Sequence, residues 1–188
     1  MAINKQSFYQ LSVFTLFGFG LIAWLIIEFV HAQPASAVFW GEEPWFLQLL
    51  YGSVFGLVAS ALAVLMVSLP FFKKSLHTFI NLAHKLQLTY QDIVFFSLCA
   101  AIGEELLFRG AIQYYLGIWP TAVLFVALHG YLNPYNWRLS VYGVFMVLVA
   151  AGFGYLYEYV GIYAAIAAHF IIDVLLFSHL KREAERLS

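Results

Sequence analysis

Glu104 and Glu105 stand side by side, and Arg109 follows four residues after the second, within an otherwise largely apolar stretch. Placing a charge in hydrocarbon costs about 2.5–3.5 kcal/mol on insertion scales, so a segment that only had to span a bilayer would carry leucine there. Two further apolar stretches each hold one histidine, His129 and His169, and Asp173 follows His169 by one helical turn. Ionisable groups at such depth mark functional sites by default.

A helix turns about 100° per residue. Glu105 and Arg109 therefore share a face and can pair, whereas Glu104 points about 100° away and is free to face a cavity. A carboxylate with two imidazoles supports three chemistries. It can activate water for peptide hydrolysis, with Glu104 as general base and a histidine as polariser or oxyanion donor. Glu104, His129 and His169 can instead hold a divalent metal such as zinc with one open position. Finally, His129 and His169 can ligate a haem, or the groups can relay protons. The chain has no His-Glu-x-x-His segment, which sets it apart from the ordinary zinc proteases.

Elements must carry these groups into one place. Hydrophobic residues make up 63% of the 188 positions and charged ones 10%, against about 25% charged in soluble domains. This is the composition of an integral membrane protein. A net charge of −1 gives no electrostatic footprint for nucleic acid. The one cysteine, Cys99, excludes internal disulfides and reads as a small core residue.

Six apolar stretches approach the ~20 residues a hydrocarbon core requires: 8–30, 46–72, 92–114, 117–131, 139–158 and 161–180. The fourth is short. Six spans place Lys5, Lys73, Lys74, Lys85, Arg138, Lys181, Arg182 and Arg186 on one side, which the positive-inside rule makes cytoplasmic. The loop 31–45 has Glu42 and Glu43 without lysine or arginine, as an outer loop should. The expectation is an all-α, polytopic helix bundle with both termini inside, folded as one membrane-embedded domain over 1–188.

Lys5, an apolar run and Ala35-Ser36-Ala37 imitate a cleavable signal. The run exceeds the 7–15 residues of a signal core, so it reads as an uncleaved first span. The polar connector 73–91 carries apolar residues at helical spacing, including Leu76, Phe79, Ile80, Ala83 and Leu86, and reads as an amphipathic helix on the cytoplasmic face. His77 and His84 on it read as solvated. Gly52-x-x-x-Gly56 is a close-packing signal, read as internal packing over dimerisation. His31 and His179 fall at span ends, and Glu28 and Glu158 near outer ends. The basic C-terminal segment reads as a solvated helix end and anionic-lipid anchor. Depth is a check on convergence: at ~1.5 Å per residue, Glu104 lies ~18 Å past Asp92, His169 ~18 Å before Lys181 and His129 ~14 Å before Arg138.

At these residues the sequence resembles the CAAX-prenyl-endopeptidase and bacteriocin-processing (CPBP, or Abi) family of intramembrane proteases. Its pattern of Glu-Glu-x-x-x-Arg, Phe-x-x-x-His and His-x-x-x-Asn/Asp reads here as Glu104-Glu105-Leu-Leu-Phe-Arg109, Phe125-Val-Ala-Leu-His129 and His169-Phe-Ile-Ile-Asp173. The resemblance covers about 92–180. It implies a multi-pass endopeptidase of the plasma membrane, glutamate-type and formerly classed as a metalloprotease, with its cavity open to the cytoplasm. In that scheme Glu104 is the general base and His129 positions the water. His169 and Asp173 hold the oxyanion, with Glu105 and Arg109 in support. Asp173 stands where the eukaryotic prenyl proteases have Asn, and an ionised Asp cannot donate to an oxyanion; it can orient His169, ligate a metal, or act protonated. The expected substrate is a membrane-associated peptide or protein, of CAAX or leader-peptide type. The competing expectation is a catalytically silent immunity or scaffold protein that keeps the motif for packing.

Overall fold

The computed structural model describes residues 4–31 and 33–186, with the side chains of 73–78 excepted. The solvated reading of His77 thus lies outside the described residues, while His84 is exposed. The described residues are helical or in turns, with no strand among them.

The first helix, α1, runs Lys5–Val30, with widened π turns at Thr15–Phe19 and Ile26–Val30. A 3-10 turn, Ala35–Phe39, leads to α2, Trp45–Ser68. The second stretch had been expected to reach residue 72, but Leu69 is extended (φ −67°, ψ 139°) ahead of Pro70, which opens α3, Pro70–Leu86. A proline disfavours helix at the residue before it and suits the first helical turn. One helix has become two. The helix α4 starts at Tyr90–Glu105, widens into a π turn at Leu106–Ile112 and closes with Gln113–Leu116. Thr89 and Asp92 cap its start reciprocally, satisfying two backbone donors that would otherwise be orphaned.

Three helices follow: α5, Ile118–Leu128; α6, Trp137–Tyr159; and α7, Ile162–Glu185. The apolar stretch expected to reach 131 stops at His129, which caps α5, because Gly130 turns left-handed (φ 75°). Residues 130–136 are not helical, so the rise used to place His129 ~14 Å from Arg138 does not apply. Among the described residues four helices are long and apolar enough to cross a membrane: α1, α2, α6 and α7. The eleven residues of α5 reach ~16 Å, about half the hydrocarbon thickness.

Large apolar side chains remain exposed along these helices, including Phe17, Leu57, Leu65, Val144 and Leu148. In water such a surface would be an aggregation hazard; in a bilayer it is the lipid-facing wall. The chain is a membrane protein. Lys5 Nζ lies 2.5 Å from Asp92 Oδ2 and ties the starts of α1 and α4 together. The Glu43 amide donates to the Val160 carbonyl at 3.3 Å, joining the opposite loop to the end of α6.

Small residues set the central seam. Gly56 lies so near α7 that a methyl there would stand 2.8 Å from the Ala168 carbonyl oxygen and 3.0 Å from Ile171 Cβ. Gly52 meets Ala164 in the same way. The Gly-x-x-x-Gly signal is an internal contact between α2 and α7, and it fixes the backbone beside His169. Gly103 does the same for α4: a methyl there would fall 2.7 Å from the Thr15 carbonyl carbon of α1.

Candidate active site

The six singled-out residues converge. Glu105 and Arg109 are both fully buried, and Arg109 Nε donates to Glu105 Oε2 at 2.8 Å. The pairing expected from their four-residue spacing is present. Glu105 has a second partner that the spacing did not indicate: His169 Nδ1 lies 2.8 Å from its other oxygen, Oε1. A carboxylate already held by a guanidinium accepts, so Nδ1 carries the proton, and Nε2 is turned toward the remaining acids.

That Nε2 stands 3.5 Å from Asp173 Oδ2 and 4.0 Å from Glu104 Oε2. His129 approaches from the other side, its Nε2 3.4 Å from the same Glu104 oxygen. The His129 ring is held by an Nδ1–H donated to the Phe125 carbonyl at 2.7 Å, possible because His129 ends α5 and faces back onto its last turn. With Nδ1 protonated, a neutral His129 presents a lone pair to Glu104. Two acceptors 3.4 Å apart have no proton to share. Correspondingly, Glu104 Oε2 is buried and makes no hydrogen bond, a costly state unless something outside the chain supplies a donor. A water molecule can, with one O–H toward each acceptor.

Aromatic rings wall the site. Phe125 lies 4.4 Å from the His129 ring, and Phe153 stacks on His169 at 5.4 Å. Both also face the Arg109 guanidinium, at 5.4 and 6.0 Å. Tyr131 stacks on His129 at 6.2 Å and joins Phe79 of α3, Val67 and Leu176 around a small cavity of about 60 Å³ that opens onto Asp173. The amphipathic connector thus packs over the end of the site. The π turn of α4 begins at Leu106, directly after the glutamate doublet; such turns recur at functional sites.

Sequence reasoning missed the Glu105–His169 bond and the roles of Phe153 and Tyr131. Nothing local signals the first two, since their partners are distant in the chain; Tyr131, two residues after His129, was the one within reach. Among the described residues no three histidine, cysteine, aspartate or glutamate side chains are grouped to hold a metal ion.

The family model for type II CAAX prenyl endopeptidase Rce1-like proteins matches residues 86–175, a span holding all six residues above. Over 100 residues the chain is 37% identical to the uncharacterized protein YpbD of Bacillus subtilis (strain 168), covering 48% of this chain and 49% of that protein. The chain thus spans about half the length of the curated relative it matches. No solved structure matches it. Residues 86–175 thus match the Rce1-like family of type II CAAX prenyl endopeptidases, within the CPBP/Abi group.

Proposed function

We propose that this protein is an intramembrane endopeptidase of glutamate type, hydrolysing a peptide bond in a membrane-associated protein or peptide. The observation that supports this most is the buried, unbonded Glu104 Oε2 between two imidazole Nε2 atoms, at 3.4 and 4.0 Å. Water held there donates one proton toward Glu104 and the other toward His129. Glu104 takes its proton as the water oxygen attacks the scissile carbonyl carbon. The carbonyl π electrons move to oxygen, and His169, protonated at Nε2 as well as Nδ1, donates to the oxyanion. When the C–N bond breaks, Glu104 returns its proton to the leaving nitrogen, and the hydroxyl proton passes by way of His129 to the released amine, giving a carboxylate and an ammonium.

Glu105 and Arg109 do not touch substrate. They hold Nδ1 of His169, and with it the direction of Nε2. Asp173, 3.5 Å from that Nε2, accepts its proton in the resting site and yields it to the oxyanion. The family, together with the basic residues at one end of the bundle, supports a plasma-membrane protein of six spans, both termini cytoplasmic and the site open to that side. CAAX-type and leader-peptide processing are the substrate classes the family points to.

The test is cleavage of fluorogenic peptides, prenylated and unprenylated, by purified protein in detergent, wild type beside Glu104→Gln, with and without chelator. Cleavage lost in Glu104→Gln and retained under chelation is expected. Loss on chelation with recovery on zinc would replace the glutamate mechanism by one in which Glu104, His129 and His169 are metal ligands. An active Glu104→Gln enzyme would overturn the reading and favour a silent immunity or scaffold protein.

A further inference from the structure

A second set of unmet polar groups lies at Arg109 and Gln113. A guanidinium carries five N–H donors in a planar fork. Nε–H goes to Glu105, and the guanidinium lies over the rings of Phe125 and Phe153. Nη1 and Nη2 are buried, and no described residue accepts from either. Leaving charged donors dry and unmade is expensive, so the fork is built for a partner the chain does not supply.

Arg109 lines a cavity of about 410 Å³ with Ile27, His31, Gln113, Tyr157 and Glu158 among its walls. That volume is within the range of small-molecule sites. Gln113, one turn beyond Arg109, spends its Nε2 on the Gly154 carbonyl at 3.1 Å. Its Oε1 is buried with no donor. Arg109 and Gln113 thus stand in one wall, and each holds a buried polar group without a partner: charged donors and, a turn away, a neutral acceptor. His31 is fixed at the rim by a 3.1 Å contact to the Ala111 carbonyl and by stacking on Tyr114. The exposed Glu158 carboxylate adds a second acceptor at the mouth.

A fork of charged N–H groups is best met by an oxyanion taken through two parallel bonds. A carboxylate would satisfy the fork and leave Gln113 Oε1 empty. A phosphate that brings its own donor satisfies both. We propose that the cavity behind Arg109 binds a phosphate group accompanied by a hydrogen-bond donor, either hydrogen phosphate itself or the headgroup of an ethanolamine or glycerol phospholipid. The site shares Arg109 with the hydrolytic centre but none of the groups placed beside the water, and the inference does not rest on the protease reading.

The experiment uses the full chain, purified in detergent and stripped of lipid. Unfolding is followed by tryptophan fluorescence against inorganic phosphate and against sulfate, which matches its shape but carries no proton at neutral pH. In parallel, native mass spectrometry scores headgroup retention from bilayers of phosphatidylethanolamine, phosphatidylglycerol or phosphatidylcholine, the last lacking a headgroup donor. The expected result is saturable stabilisation by phosphate, about tenfold tighter than by sulfate, or selective retention of the first two lipids. The first identifies a free phosphate and the second a headgroup. Gln113→Glu, which sets a carboxylate beside the fork, should weaken either by about tenfold or more. Should that variant not fold, Gln113→Met removes the acceptor, together with the Nε2–H donated to the Gly154 carbonyl, and should abolish the preference for phosphate over sulfate, or for donor-bearing lipids over phosphatidylcholine. No response of the wild type to phosphate or any headgroup would overturn the proposal, as would a Gln113 variant that responds like wild type.

Discussion

His169 is gripped from behind by Glu105: its Nδ1 lies 2.8 Å from Glu105 Oε1, while Glu105 Oε2 holds Arg109 Nε at the same distance. The second glutamate of the doublet is thus the hinge between a buried ion pair and the imidazole that faces Glu104 and Asp173. Asp173, the residue one turn from His169, meets only the outward nitrogen. Orientation of the ring is the work of Glu105, whose four-residue spacing disclosed only its pairing with Arg109.

Glu105→Ala should therefore fail twice. It leaves a fully buried guanidinium unpaired, an effect on the order of 3–5 kcal/mol, and it frees His169 to rotate. Denaturant unfolding in detergent should show the stability loss, and any folded fraction should have lost most of its cleavage. Glu105→Gln keeps the volume and one acceptor, so it should recover part of the stability and less of the activity. A Glu105→Ala protein as stable as wild type would contradict the buried pairing.

At Asp173 the substitution to try is Asn, the residue of the eukaryotic prenyl proteases. Its amide oxygen still accepts from His169 Nε2, 3.5 Å away in the wild type, and its NH₂ adds a donor for the oxyanion. Cleavage should stay within about tenfold of wild type, whereas Asp173→Leu, which offers neither, should lose about 10²–10³, the loss typical of an oxyanion-hole group. Comparing kcat for the two variants checks this. Equal loss in both would show that the negative charge itself is required.

Gly56→Leu should destabilise the bundle without touching any reacting group. Even the first methyl would come within 2.8 Å of the Ala168 carbonyl oxygen, so α2 must move away from α7. Overpacking of this kind costs about 1–3 kcal/mol, and because Ala168 adjoins His169, cleavage should fall with stability. A variant that changed only the oligomeric state, read by size exclusion with light scattering, would return the Gly-x-x-x-Gly pair to a dimer contact.

What the sequence disclosed, and what it hid, follows from range. Glu105–Arg109 and His169–Asp173 were legible because four-residue spacing puts side chains on one helix face. The bundle was legible because the bilayer sets helix length and composition. Convergence of Glu104, His129 and His169 was inferable from depth, although the end of α5 at Gly130 undid the arithmetic for His129. The Glu105–His169 bond crosses 64 positions. It depends on how closely α2 admits α7 and α1 admits α4, contacts fixed by Gly52, Gly56 and Gly103, and no local pattern states such a distance. The proline that splits α2 from α3 was in plain view at position 70, but its flanks are apolar enough to read as one span.

His129 provides the sharpest separation of chemistry from folding. Its side chain is 34% exposed, its ring is held by the Phe125 carbonyl, and Glu104, which it approaches at 3.4 Å, has His169 as a second imidazole neighbour. His129→Ala should therefore unfold close to where wild type does, since losses from a partly exposed side chain are small. Its cleavage should fall by about 10²–10⁴, the typical contribution of a positioned acid–base group. Paired unfolding and single-turnover measurements on one preparation test both halves. A stable, inactive His129→Ala protein would support its place beside the water. If activity persisted at more than a tenth of wild type, the water would have to be held by Glu104 and His169 alone, and the 3.4 Å approach of His129 to Glu104 would be packing rather than catalysis.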